Sequence, residues 1–446
     1  MKRDLTTGPI TKTMLLFALP MILGNILQQC YNLVDTWIVG VYLGSDALGA
    51  VGSAYTLMTF LTSLIIGMCM GAGALFSISY GQKAYRSMRE YLASSFVLIL
   101  VITIALTGVS YWLLPKILRW MQTPQEVYDL MYTYVFVILM GLPFIFLYNY
   151  TAFALRAVGN SVVPLIFLGI STGINIVLDV VFVAVLRRGV AGAAEATVIA
   201  QFAAGVGIVI YGVLREPILR LEKGLGVRWK SVLEILSYAA ATGAQQSVMN
   251  FGILMVQGLV NSFGTSVMAA FAAGVKIDTL AYMPAQEFGN AYSIFISQNY
   301  GAGNHQRIRR GTRSAVLLVL CFCLAISGAV WLLAPRLISI FIDSHEIQTL
   351  EIGVQYLRVE GACYVGIGIL FLLYGYFRGV ERPKISLLLT VISLGTRVLF
   401  AYTFAPCFGV KAIWWAIPLG WILADGTGWL LGRTKARTAI NAEKGA

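Results

Sequence analysis

Apolar runs of 18 or more residues recur from one end of this 446-residue chain to the other. Each run is long enough to cross a hydrocarbon core of about 30 Å as a helix. The alternating polarity of a membrane β-barrel is not visible, so helices are the spanning structure that satisfies the backbone. Only 12% of the residues are charged, against roughly 25% in soluble proteins. The sequence therefore predicts an all-α integral membrane protein.

The apolar runs predict twelve transmembrane helices. Their expected limits are 14–40, 47–80, 91–114, 124–150, 161–186, 190–214, 230–261, 267–299, 312–334, 346–374, 384–404 and 411–432. The first run follows a short basic segment and is too long for the core of a signal peptide, so no cleaved signal is expected.

Lysine and arginine are unevenly divided between the two sides of this predicted topology. The two termini and the loops after even-numbered spans hold 23 of the 32 basic residues, whereas the opposite loops hold six. Because cytoplasmic loops are enriched in Lys and Arg, both termini are expected in the cytoplasm of a bacterial plasma (inner) membrane. Topology thus accounts for the net charge of +12, and nucleic acid is not an expected partner.

The chain repeats itself at an offset of 220 residues. Ser77 aligns with Ser297, Tyr80-Gly81 with Tyr300-Gly301, and Pro115 with Pro335. Thr123 with Glu126, and Asp343 with Glu346 at the same offset, predict capping boxes. The repeat predicts two parallel six-helix lobes, an N-lobe over 1–214 and a C-lobe over 231–446, joined by a cytoplasmic linker over 215–230. Transporters built from such repeats bind substrate between the halves.

Polar side chains interrupt several spans of the first lobe. Asn25, Gln28, Asn32 and Asp35 are spaced three, four and three apart, which predicts one helix face. Asn175 and Asp179 share a face of span 5, and Thr197 lies in span 6. An ionisable group at mid-bilayer costs at least ~2.5–3.5 kcal/mol, so the two aspartates are functional candidates. Two carboxylates, an amide and a hydroxyl suit Na⁺ or a shared proton. The alternative is that these groups only hydrogen-bond helices together.

Further charges lie inside the spans of the second lobe, where they predict structural ion pairs. Lys276 or Arg397 is expected to neutralise Asp278 or Glu287. Glu195, near the outer end of span 6, does not share the face of Thr197, so we expect it to extend to the membrane interface.

Each half of the chain contains a set of short sequence motifs. In the first half these are the Pro20 region, Val34-Asp35-Thr36, Leu155 to Asn160, Asn175 to Asp179 and Gly189 to Thr197. In the second half they are Val260 to Gly264, Gln298 to Gly303 and Arg378-Gly379. Together these motifs resemble those of the multidrug and toxic compound extrusion (MATE) transporters, and the likeness extends over essentially the whole chain.

The resemblance implies two lobes around a central cleft, drug efflux driven by inward H⁺ or Na⁺, no cofactor, and a monomer. The resemblance places the cation-coupling site at Asp35, Asn175, Asp179 and Thr197, where Na⁺ is a candidate bound metal ion. Residues expected to line the cleft are Gln28, Asn32, Tyr134 and Asn149. Pro20 corresponds to the place where the first helix is thought to bend.

The second lobe departs from one branch of the family. NorM-like transporters carry acidic residues in spans 7 and 10, whereas here span 7 is amide-rich around Gln245 and span 10 is apolar around Ile367. The pattern favours the DinF-like or MepA-like branch, with coupling in the N-lobe.

The predicted function is a secondary active antiporter that exports cationic or amphiphilic organic compounds across the bilayer. One alternative is a lipid-linked oligosaccharide flippase of the same superfamily, which usually has more spans and a cationic cleft. The other is an integral-membrane enzyme, which needs a buried histidine, cysteine or metal cluster that the sequence does not offer. No catalytic residue is therefore predicted.

Overall fold

The computed structural model describes residues 3–121, 123–220, 228–343 and 345–443, and within them the chain forms helices and no strand. The helices of the first half are α1 (Ile10–Leu43), α2 (Ser45–Gly81), α3 (Tyr85–Trp120), α4 (Gln125–Ile138), α5 (Leu142–Ala157), α6 (Val162–Asp179) and α7 (Gly189–Arg215). Those of the second half are α8 (Trp229–Asn261), α9 (Thr265–Gly301), α10 (His305–Ile338), α11 (Ile347–Gly361), α12 (Tyr364–Gly379), α13 (Pro383–Phe408) and α14 (Val410–Glu443).

These fourteen helices make twelve spans, because two spans are each built from two helices. A 3₁₀ turn, Leu139–Gly141, joins α4 to α5, and a bend of 49° separates α11 from α12. Among the described residues, nine helical segments are long and apolar enough to cross a membrane, and the bent pair α11 and α12 makes a tenth. The other two are α8 and α14, which are 33 and 34 residues long. Each of the twelve predicted spans overlaps one of these.

The helices cluster into two compact units. Unit 1 comprises Met1–Gly8, Leu15–Gly243 and Ser297–Gly303, and unit 2 comprises Pro9–Met14, Ala244–Ile296 and Asn304–Ala446. In the predicted linker, a 3₁₀ turn at Pro217–Leu219 follows α7, and residues 221–227 lie outside the described part of the chain. The division into lobes at 214 and 231 stays a prediction.

The centre of unit 1 is α2, which packs against α3, α4 and α5. In its most apolar stretch 83% of the residues are buried, against 33% in the corresponding stretch of α3. Small residues make this possible, since a Cβ added at Gly67 would lie 2.7 Å from the Cα of Gly243 in α8. Close backbone approach at small residues is the usual packing device between membrane helices.

Unit 1 also holds the N-terminal segment, which lies against the cytoplasmic ends predicted for two spans. Leu5 is fully buried, its N–H donates to Oε1 of Gln298 at 3.3 Å, and its carbonyl accepts from Nδ2 of Asn299 at 3.1 Å. The N–H of Arg3 donates to the carbonyl of Gly159 at 3.0 Å. The backbone of this segment is therefore fixed by both side-chain and main-chain partners.

The two predicted capping boxes are wrong. Helix α4 begins after Pro124 and α11 after Glu346, and neither start has a side-chain cap. The extended backbone of Pro124 (ψ 146°) moves the helix start away from Thr123. Asp343 instead accepts a hydrogen bond from the N–H of His345 at 3.0 Å, in a turn before α11.

Candidate functional site

Asp35 and Asp179 come together inside unit 1, although 144 positions separate them in the chain. Asp35 lies in α1 and is 8% exposed, and Asp179 is the last residue of α6 and is fully buried. Their carboxyl groups are within hydrogen-bonding reach of each other. Oδ1 of Asp35 and both carboxyl oxygens of Asp179 accept no hydrogen bond from any residue that the structure describes. Two adjacent buried carboxyl groups are stable in this interior only when a cation or a proton compensates their charge.

Asn175 and Thr197 complete the set that the sequence predicted. Asn175 is 1% exposed, and its Nδ2 donates to Oγ1 of Thr197 at 3.3 Å. This leaves Oδ1 of Asn175 buried without a partner. All four predicted residues therefore lie in one place, on α1, α6 and α7, and the carboxylate and amide oxygens among them are free to accept a ligand.

The backbone at the end of α6 changes form at this point. After Asp179 the α-helix continues as a π-helical turn over Val180–Val185. In a π-helix the hydrogen bonds run to the fifth residue, and such turns are rare and concentrated at functional sites. Here the irregular turn falls immediately after the buried carboxylate, where Val181 and Phe182 carbonyls accept from Leu186 and Arg188.

A cavity of about 180 Å³ adjoins this group. Asn175 and Thr197 form part of its wall. Of the four predicted lining residues, Gln28 and Asn149 line it, but Asn32 does not. Tyr134 is also absent from the wall; it is 5% exposed and interacts electrostatically with Asp35 and Asp179. Tyr134 therefore lies near the carboxylates, and the roles of Tyr134 and Asn32 in lining the substrate cleft stay predictions.

Sequence reasoning missed several polar residues of the cavity. They are Tyr31, Thr62, Tyr148, Ser171, Thr172 and Gln201. The hydroxyl of Tyr31 lies 3.3 Å from Oγ1 of Thr197. Helical spacing could have identified three of them, because residues four apart lie on the same helix face. Tyr31, Ser171 and Gln201 are each four residues from one of the predicted site residues, Asp35, Asn175 and Thr197 respectively.

Helix α1 is continuous from Ile10 to Leu43, with Pro20 inside it. The bend expected at Pro20 stays a prediction. Glu195 forms a salt bridge with Arg188 at 2.5 Å, and the guanidinium carbon of Arg188 lies 5.5 Å from the ring centre of Phe182. Glu195 is therefore paired with the residue that precedes its own helix, α7.

The ion pairs expected for Asp278 do not form. Lys276 lies over the ring of Phe341, 5.8 Å from its centre, and Arg397 lies 5.9 Å from the ring centre of Trp421. Asp278 instead accepts a hydrogen bond from the hydroxyl of Tyr364. Lys276 and Asp278 are two residues apart on one helix and face different sides, so Lys276 does not reach Asp278. Glu287 accepts from Nδ2 of Asn290 at 3.3 Å.

The MatE family model matches residues 20–181 and again residues 241–403. The chain belongs to the MatE family. The double match confirms the internal repeat that the sequence predicted, at an offset within two residues of the one found from the aligned motifs. Members of the MatE family are transporters, so the chain is a multi-pass membrane transporter and not an enzyme.

Individual MatE relatives agree over nearly the full length. A probable multidrug resistance protein, YpnP of Bacillus subtilis, is 30% identical over 97% of this chain and 98% of its own length. A probable multidrug resistance protein NorM of Thermotoga maritima is 26% identical over 87% and 84%. A crystal structure of a MATE protein in a bent conformation matches with a TM-score of 0.92 at 23% identity, over 99% and 98% of the two chains. The twelve-helix fold is thereby confirmed, and the branch within the family stays a prediction.

Proposed function

We propose that the chain is a multidrug efflux antiporter of a bacterial inner membrane, which exports organic cations or amphiphiles in exchange for H⁺ or Na⁺. The observation that carries the proposal is the adjacent, buried and unpartnered pair Asp35 and Asp179 beside the cavity of unit 1. The names of the similar proteins YpnP and NorM support drugs as the transported class.

The pair acts as a charge switch. Two carboxylates in a low-dielectric interior repel each other, so the ionised pair is stable only with a cation nearby. Entry of H⁺ or Na⁺ from outside neutralises the pair and removes the repulsion between α1 and α6. For Na⁺, the free oxygens of Asp35, Asp179 and Asn175, with the hydroxyl of Thr197, form an oxygen donor set. For H⁺, one carboxyl group donates to the other.

The ion gradient supplies the energy for export. Each positive charge that moves inward gains about 2.3 kcal/mol per 100 mV, which supports roughly 50-fold accumulation. The organic cation is attracted by the negative pair when the ion has left, and it is released when the pair is neutral. Tyr31, Phe144 and Tyr148 line the cavity, and aromatic rings attract such a cation.

The test is ethidium transport by purified protein in proteoliposomes, with a pH gradient and a Na⁺ gradient imposed separately. We expect one gradient to drive ethidium movement well above that of protein-free vesicles. Asp129, an exposed carboxylate of α4, provides a matched control, because Asp129→Asn should transport as the wild type does. Failure of both gradients to drive any of a panel of organic cations would contradict the proposal.

A further inference from the structure

The first turns of α10 carry a basic patch, which consists of Arg309, Arg310 and Arg313. All three side chains are exposed, and none of them forms a hydrogen bond or a salt bridge with any residue that the structure describes. The sequence between Glu287 and Asp343 contains no aspartate or glutamate, so the chain offers no acidic neighbour on the same helix. The basic patch therefore lacks a counter-charge in contact among the described residues.

The internal repeat shows a neutralised form of the same helix start. At the offset of 220 residues, Arg310 corresponds to Glu90 of α3. Glu90 forms salt bridges with Arg86 at 3.7 Å and with Arg228 at 3.2 Å. One acid thus holds two arginines at the start of α3, whereas α10 has a further arginine at the position of that acid. The uncompensated positive charge belongs to the second half alone and not to the repeated unit.

The basic patch continues directly into an exposed apolar face of α10. Arg310 and Arg313 are followed at helical spacing by Leu317 and Leu324, each of which is 62% exposed. Because α10 is a membrane span, exposed leucines on this face contact acyl chains. At the rise of an α-helix, the two arginines lie about 6 and about 10 Å beyond Leu317. Their guanidinium groups therefore reach the level of the lipid headgroups.

Helix α1 brings another positive charge to this end of α10. The hydroxyl of Thr11 lies 2.7 Å from the hydroxyl of Ser314, the residue that follows Arg313. Lys12, which follows Thr11, is also exposed. Lys12 and the basic patch together supply four basic residues beside one membrane span. Clusters of this size next to a span are typical of sites that bind anionic lipids.

We propose that the basic patch binds the headgroup of an anionic glycerophospholipid, whose acyl chains lie along Leu317 and Leu324. A guanidinium group offers two parallel N–H donors that match the oxygens of a phosphate. The lipid phosphate then supplies the counter-charge that the basic patch lacks. A lipid fits better than a soluble phosphate, because only a lipid also covers the adjoining leucines. The proposal requires a membrane protein but not the proposed antiport.

The test is native mass spectrometry of the purified full-length protein, delipidated in a neutral detergent. The protein is offered equal amounts of dioleoyl-phosphatidylglycerol and dioleoyl-phosphatidylcholine, and the ratio of the two is measured in protein that holds one lipid. We expect the wild type to prefer phosphatidylglycerol. Each basic residue at an anionic surface contributes about a fivefold gain in binding. The variant Arg309→Gln/Arg310→Gln/Arg313→Gln should therefore lose most of the preference, up to roughly 100-fold.

A single substitution provides a second variant. Arg310→Glu gives α10 the acid that α3 has at the corresponding position, and the carboxylate is one turn from Arg313, which it can pair with. This variant should also lose the preference for phosphatidylglycerol. In phosphatidylcholine alone, the wild type and both α10 variants should have equal melting temperatures, because the basic patch makes no polar contact with the described residues.

The control variant removes three positive charges at the start of α3 instead, as Lys83→Gln/Arg86→Gln/Arg89→Gln. It should keep the wild-type preference, because Arg86 is already paired with Glu90 and Arg89 donates to the carbonyl of Pro217 at 3.3 Å. An equal loss of preference in this variant would show an effect of net charge alone and would contradict the proposal.

Two further results would overturn the proposal. An unchanged lipid ratio in both α10 variants would show that the basic patch binds no lipid. Displacement of phosphatidylglycerol by an equal concentration of inorganic phosphate would assign the basic patch to a soluble anion. None of these measurements involves an ion gradient or ethidium, so the failure of this proposal and the failure of the antiport proposal are distinguishable.

Discussion

Neutralising a single carboxyl group imitates the loaded state of the pair in unit 1. Asp35→Asn keeps the size of the side chain but fixes it without charge, so the pair can no longer alternate between charged and neutral. We expect normal folding, retained binding of an organic cation with weaker affinity, and gradient-driven ethidium transport reduced to the level of protein-free vesicles. Transport at the wild-type rate by a stable Asp35→Asn protein would rule out the switch.

Asp179→Asn should behave like Asp35→Asn, because both groups belong to one charge switch. Residues that act as a unit are not additive, so the double variant should transport little less than either single variant. If Asp35 and Asp179 only hold the fold together, the variants should have lower melting temperatures, and each folded molecule should transport ethidium at the wild-type rate. Measuring the melting temperature and the transport rate on the same preparations separates the two roles.

At the scale of elements, the loop between α5 and α6 holds the N-terminal segment in place. Gly159 has φ +85°, and a Cβ there would lie 1.8 Å from the carbonyl oxygen of Arg3. A left-handed backbone costs an L-residue about 1–2 kcal/mol, and the Arg3 segment must also move. We expect Gly159→Ala to lower the unfolding free energy by at least ~1 kcal/mol, measured as a lower melting temperature.

Gly108 of α3 provides the control for the Gly159→Ala experiment. It is exposed, and no atom lies within 4 Å of the place where its Cβ would be. Gly108→Ala should be neutral or stabilising by about 0.5–1 kcal/mol, as expected in a helix interior. Equal melting temperatures for the two variants would show that the contact between Arg3 and Gly159 contributes nothing to stability.

For the whole molecule, we predict that both termini lie in the cytoplasm. The termini and the loops on their side of the membrane hold 23 of the 32 Lys and Arg residues, and the opposite loops hold six. Such an excess is typical of the cytoplasmic side. A reporter enzyme that is active only in the periplasm should be inactive when fused after the C-terminus and active when fused in the loop after Trp120. Periplasmic activity of the C-terminal fusion would reverse the orientation.

The sequence by itself determined the helical class, the twelve spans and the repeat. Hydropathy is a property of each segment alone, and a span has to satisfy its own backbone hydrogen bonds in lipid whatever its neighbours are. It also predicted that Asp35, Asn175, Asp179 and Thr197 belong together, since mid-span polar groups are conspicuous among apolar residues.

Only the tertiary structure decided which of these groups meet. The spacing of residues on one helix does not say which helix it packs against, so Asp278 was expected to pair with Lys276 or Arg397 and instead lies beside Glu360 and Tyr364. For the same reason the sequence could not show that Tyr134 of α4 lies near the carboxylates of α1 and α6. The π-helical turn after Asp179 could not be predicted from hydropathy, because an apolar segment has the same hydropathy in an α-helix and in a π-helix.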